Sequence, residues 1–77
     1  MTNYVATFYT ELSALLTHKK FKAAGIDSRR APVPRALSAS CGISLFYAAE
    51  QPYFELMDVD CEGVYAELPE GKYEKLR

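Results

Sequence analysis

The chain has 77 residues, a net charge of −1, 49% hydrophobic residues and 25% charged residues. That is the composition of one folded domain and excludes a disordered chain or several domains. No apolar run reaches the ~18 residues that cross a bilayer, so no membrane partner is expected.

The opening "NYVATFY" (Asn3–Tyr9) alternates and is rich in β-branched and aromatic residues, which predicts a first strand. Thr10 follows as a helix N-cap and Glu11 falls in the first turn, where a carboxylate suits the helix dipole. From Glu11 to Ala24 there is neither proline nor glycine, and Gly25 then marks a helix end. This helix is apolar on two sides. Leu12, Leu15, Leu16 and Ala23 share one stripe, interrupted by Lys19, while Ala14, His18 and Phe21 form another. Either one stripe meets a partner chain, or the Lys19 stem lies over the first stripe with its ammonium in water. The second is the simpler reading.

"IDSRRAPVP" (Ile26–Pro34) reads as an edge strand running into a loop, because Pro32 and Pro34 remove backbone donors at alternate positions. "GISLFYA" (Gly42–Ala48) reads as a strand. In "EQPYFELMDVDC" (Glu50–Cys61), a first-turn Pro52 precedes Tyr53, Leu56 and Met57 at i, i+3 and i+4, which predicts a short second helix. "EGVYAEL" (Glu62–Leu68) closes the domain as a strand, and residues 69–77 read as a polar, loosely held tail. The order β-α-β-β-α-β predicts an α+β, ferredoxin-like sandwich over residues 1–68. Its sheet would be antiparallel and four-stranded, with two helices on one face. Tyr4, Tyr9, Tyr47 and Tyr65 are candidates for a half-wet aromatic surface on the open face.

Charge is unevenly spread. Residues 1–49 hold six basic and two acidic residues, a net +4, and residues 50–77 hold three basic and eight acidic ones, a net −5. A nucleic-acid binder would show a clear basic excess, so no nucleic-acid partner is expected, and the late carboxylates read as a solvated face. The first residues lack a basic region followed by an apolar one, so no signal peptide is expected and the protein is read as cytoplasmic. Cys41 and Cys61 are too few for a disulfide framework and default to free thiols.

Cys61 suits a small buried hydrophobe, but Cys41 sits in "SASCG", after Pro34 and Arg35. The thiolate is the reactive form of a cysteine, and an ordinary free thiol is only a few per cent ionised at neutral pH. The loop offers three means of favouring an anion. Small neighbours let backbone amides curl around the sulfur, with Gly42 allowing close approach. Ser38 and Ser40 offer hydroxyl donors. Arg35, with Arg29 and Arg30 on the preceding strand, adds positive charge. No general base is evident. Cys41, Cys61 and His18 lack the spacing of a metal site, so no metal is expected. Cys61 could act as a resolving thiol only if the two Cα atoms approach closely.

From "YVATFY" through "KAAGI" and "PVPRALSASCGISL" to "EGVYAEL", roughly residues 4–68, the chain resembles the small bacterial selenium/sulfur-carrier-like domains. The proline-arginine pair and the serine-rich "SCG" loop are the most specific part of the likeness. The resemblance would also lead one to expect an arginine where Phe46 stands, an aliphatic residue where Arg30 stands and a longer second helix. It implies that Cys41 carries sulfur as a persulfide, or selenium, and passes it between donor and acceptor proteins. Pro34, Arg35, Ser38, Ser40 and Gly42 are the matching loop positions. It implies no cofactor, and a carrier rather than a classical enzyme. The alternative is a non-catalytic interaction or homodimerisation module, built on the tyrosines and the spare leucine stripe, in which Cys41 only shapes a loop.

Overall fold

The computed structural model describes residues 1–77. Strand β1 spans Thr2–Phe8 and helix α1 spans Glu11–Ala23. The helix starts where expected: the Thr10 hydroxyl accepts a hydrogen bond from the Ser13 amide at 3.1 Å, satisfying one of the first-turn donors. It ends on Lys20 and Lys22 in the last turn, and Gly25 then takes φ +78°, a conformation that costs glycine little. The remaining strands are β2 (Ser28–Pro32), β3 (Ile43–Ala49), β4 (Cys61–Leu68) and β5 (Lys72–Lys75). They form one antiparallel sheet in the order β2-β3-β1-β4-β5. β1, α1 and β2 make a crossover with β3 inserted between its two strands.

This corrects the expected four-stranded sheet with two helices: the sheet has five strands and is served by one helix. Over Glu50–Cys61 the chain makes only a single 3-10 turn, Phe54–Leu56. Tyr53 sits just before it at φ +55°, outside the helical region. The apolar spacing was right for a helix, but Asp58 is held elsewhere. Its carboxylate accepts from the Ser13 hydroxyl at 2.9 Å, and its amide donates to the Thr17 hydroxyl at 3.0 Å. The Cys61 amide then donates to the Asp58 carbonyl at 3.0 Å, closing a turn into β4. These bonds clamp an extended loop to α1 and satisfy two buried hydroxyls, so no second helix is needed there.

Residues 69–77 are also more ordered than expected. After a 3-10 turn at Pro69–Gly71 they form β5 on the free edge of β4. The Leu76 amide donates to the Val64 carbonyl at 2.8 Å, and the Val64 amide donates to the Arg77 carbonyl at 3.4 Å.

The core lies between α1 and the sheet. Ala14 and Phe21 from the helix pack with Tyr4, Ala6, Phe8, Leu45, Tyr47, Val64 and Ala66. Tyr4 and Tyr47 therefore belong to the core and not to an open face: their rings stack at 5.2 Å, and Phe21 meets Tyr47 edge-on at 4.6 Å. The Tyr47 hydroxyl donates to the Pro52 carbonyl, which lets a polar tip be buried. Of the four tyrosines assigned to the open surface, Tyr9 is exposed and Tyr65 is half-buried. On the helix, the stripe of Ala14 and Phe21, joined by Ser13 and Thr17, is the buried one, and Leu12 and Leu16 face solvent.

The helix-free face is closed by its own side chains. Val5 stands in register between Phe46 and Tyr65, and Thr7 between Ser44 and Gly63. Val5, Thr7 and Ser44 are fully buried there. Tyr65 lies back over Gly63, where an added Cβ would come within 3.2 Å of the ring and hydroxyl. Arg29 covers Phe46, its guanidinium 4.6 Å from the ring centre.

Two predictions follow from this packing. Phe21→Ala should cost about 3–5 kcal/mol, a large share of the stability of so small a domain, and is read from urea unfolding followed by circular dichroism. A chain ending at Leu68 should lose roughly 2 kcal/mol, several backbone hydrogen bonds at ~1 kcal/mol each less the chain entropy regained. An unchanged midpoint would return the tail to the loosely held state that its polar sequence suggests.

Candidate functional site

The loop joining β2 to β3 carries the residues singled out in the sequence. Its base is closed by the Val33 amide donating to the Gly42 carbonyl at 3.1 Å. Inside it run two turns: the Leu37 amide donates to Pro34 at 3.0 Å, and the Gly42 amide donates to Ala39 at 3.2 Å. Arg35 and Ala36 occupy the centre of the first turn, directly after Pro34, and Gly42 leaves the second at φ +74° with open space where a side chain would be. Arg35, Ser38, Ser40 and Gly42 are exposed, and Pro34 and Cys41 are half-buried.

Cys41 packs against the edge of the core. Its thiol lies 3.2 Å from the Phe8 carbonyl and 3.5 Å from the Ile43 carbonyl, and donates to them as a weak S–H donor. The amides expected to ring the sulfur are engaged elsewhere. That of Gly42 goes to Ala39, and that of Ser40 donates to the Glu62 carboxylate at 3.0 Å. Arg29 is stacked on Phe46. The sulfur is thus held by donating to carbonyls, and not by amides pointing inward at it.

Cys61 opens β4 and is the pairing partner of Phe8, at the point where the β1–β4 register shifts. Both cysteines therefore reach the same end of β1: Cys41 through the Phe8 carbonyl, Cys61 through the ladder. Both are free thiols. The Cys61 thiol is 3.7 Å from the Gly63 carbonyl. Burial pushes its pKa up from the ordinary 9.0, the Arg77 guanidinium pulls it partly back, and Asp58 and Glu62 add to the rise. His18 takes no part: its Nδ1 lies 2.8 Å from the Ser28 hydroxyl. No three His, Cys, Asp or Glu side chains come together in a way that could hold a metal ion.

Two participants were not visible in the sequence. Glu62 fastens the loop to β4, yet it reads as one more member of a solvated acidic run. The Phe8 carbonyl is a backbone atom, which no side-chain pattern announces.

Fold and site together define a small α+β domain that presents a cysteine at the end of a loop fastened across the sheet. The chain matches the family described as "Putative Se/S carrier protein-like" over residues 3–59, more than half its length, and it belongs to that family. The match takes in the whole β2–β3 loop and stops just short of Cys61 and Glu62. Neither the curated proteins nor the solved structures gave a match. No helix is long and apolar enough to cross a membrane.

The half-buried Cys61 thiol and the buried Tyr47 phenol make stability depend on pH. Cys61 and Tyr47 both hold their protons more tightly in the folded chain, Tyr47 chiefly through burial and then through Tyr4, Cys61 and Glu55. Their contribution is intact below the ordinary value of 9.0 for the thiol and 10.0 for the phenol, and is lost as pH rises through the folded values. The urea midpoint should therefore fall above about pH 9. Cys61→Ala should flatten the first part of that fall; an identical profile in the variant would clear Cys61 as its cause.

Proposed function

We propose that the protein carries sulfur or selenium on Cys41 and passes it between partner proteins. One observation carries this reading: the family match spans the complete loop, from Pro34 and Arg35 through Ser38, Ser40, Cys41 and Gly42. The exposure of the loop around a half-buried sulfur supports it.

Loading is a thiol–persulfide exchange. The Cys41 sulfur, having released its proton, attacks the outer sulfur of a donor persulfide. The new Sγ–S bond forms as the donor's S–S bond breaks, and the donor sulfur leaves as a thiolate that takes up a proton. Donor persulfide and Cys41 thiol become donor thiol and Cys41 persulfide, with no net oxidation. Unloading is the same exchange with an acceptor thiol as nucleophile. The added sulfur extends about 2 Å beyond Sγ, which carries the reactive atom outward from a half-buried side chain. Gly42 leaves room beside it for a partner's approach, and Arg35, exposed on the same loop, is the cation nearest in sequence to the anionic persulfide. Attack requires the S–H to leave the Phe8 and Ile43 carbonyls, so loop opening belongs to the mechanism.

Those two S–H contacts favour a second reading, in which Cys41 is a structural peg and the domain is an interaction module. Incubation with a cysteine desulfurase and cysteine, followed by intact-mass measurement, separates the two. The carrier gains the mass of one sulfur atom, keeps that gain in Cys61→Ala and loses it in Cys41→Ser. Arg35→Ala should load several-fold more slowly. No adduct on the folded wild-type chain, or one that survives Cys41→Ser, leaves only the module.

A further inference from the structure

Helix α1 turns Ala14, Thr17 and Phe21 inward, and the opposite side carries large apolar groups in water. Leu12 is 63% exposed and Leu16 39%, one turn apart. Tyr9, just before the helix, is 53% exposed and Val59 93%. Val59 belongs to this surface because its neighbours are tied to the start of α1. The Tyr9 amide donates to the Asp60 carbonyl at 2.9 Å, and the Ser13 hydroxyl donates to Asp58 at 2.9 Å. Exposed residues flank the leucines with opposite charges at the two ends: Glu11 and Asp60 near the N-terminus of α1, Lys19 and Lys20 in its second half.

We infer that this stripe pairs with the same stripe on a second copy of the chain, the two α1 helices antiparallel about a two-fold axis. In that arrangement Leu12 of each copy meets Leu16 of the other. Lys19 and Lys20 then come over the start of the facing helix, where Tyr9 gives their stems an apolar seat and Glu11 and Asp60 face their ammonium groups. A parallel pairing would set lysines against lysines and carboxylates against carboxylates, so the charge pattern selects the antiparallel one. A two-fold contact is self-complementary and closes at the dimer, leaving no open end for further growth. Its size sets its strength. A 13-residue helix is about 20 Å long. One such face falls short of the ~800 Å² per partner of a standard stable interface, so the dimer is weak and exchanging. The pairing rests on the helix surface alone and stands whether or not Cys41 carries a chalcogen.

Sedimentation equilibrium of the whole protein from micromolar to millimolar concentration tests it. The chain should be monomeric at the low end and increasingly dimeric at the high end, with dissociation favoured by added salt. The double variant Leu12→Glu and Leu16→Glu alters only exposed positions, so it should keep its circular dichroism while its dissociation constant rises at least tenfold. Lys20→Glu alone should weaken the dimer by a smaller factor, and Asp60→Lys combined with it should restore part of the loss. A wild-type chain that stays monomeric throughout overturns the inference. So does a dimer untouched by the leucine double variant, or a stripe that engages only a different protein.

Discussion

Burial of the central strand on both faces is the constraint around which the structure is arranged. Five consecutive residues of β1, Tyr4–Phe8, are buried, so neither face of the strand can be left to water. One helix covers one face. The other has no layer over it and is closed by what the neighbouring strands supply: a tyrosine folded back over a glycine, an aromatic ring under a guanidinium, and small residues at Ser44 and Thr7. The fifth strand and the last two residues are drawn in along β4 by the same need, because an unpaired β4 would leave its backbone donors and acceptors open beside this thin covering.

The loop bearing Cys41 depends on this arrangement as well. It is not an independent excursion from an edge hairpin, because it is fastened at three places that only the folded sheet brings together. Its base is bonded to itself, Ser40 is held by Glu62 of β4, and the sulfur is held by the end of β1. A partner that takes hold of Glu62 or displaces the thiol would loosen one anchor and leave the others. As folded, the Cys41 thiol is half-buried and turned toward two backbone carbonyls.

Much of this was legible in the residues. The first strand, the helix with its Thr10 cap and Gly25 exit, the strand after the cysteine loop and the strand ending at Leu68 all follow from local pattern, because each is stabilised largely by its own periodicity and end signals. The second helix failed for a tertiary reason: Tyr53, Leu56 and Met57 have helical spacing, but Asp58 is claimed by two hydroxyls on α1, 45 and 41 residues away in sequence. The fifth strand was hidden because Lys72–Lys75 carries no apolar alternation; its partner's free edge makes it a strand. Tyrosine was misplaced because alternation says which residues share a face and not which face points inward, and Tyr47 is admitted to the core by a carbonyl that its own pattern does not reveal. The site was legible to the same extent. The string around Cys41 located the loop, but the sulfur's surroundings come from Phe8 and Glu62, both distant in sequence.

The sheet order also bears on how the chain comes together during synthesis. The earliest strand of these 77 residues is the one that ends up in the middle, and its two neighbours lie at residues 43–49 and 61–68. The most completely buried strand therefore gains one neighbour with β3 and the second only when β4 follows. Assembly is thereby deferred to a late step dominated by contacts of long sequence separation, the slower class of folding topology. A nascent chain halted before residue 61 would still have one side of that strand open, and such a fragment is the form of this protein most in need of a chaperone.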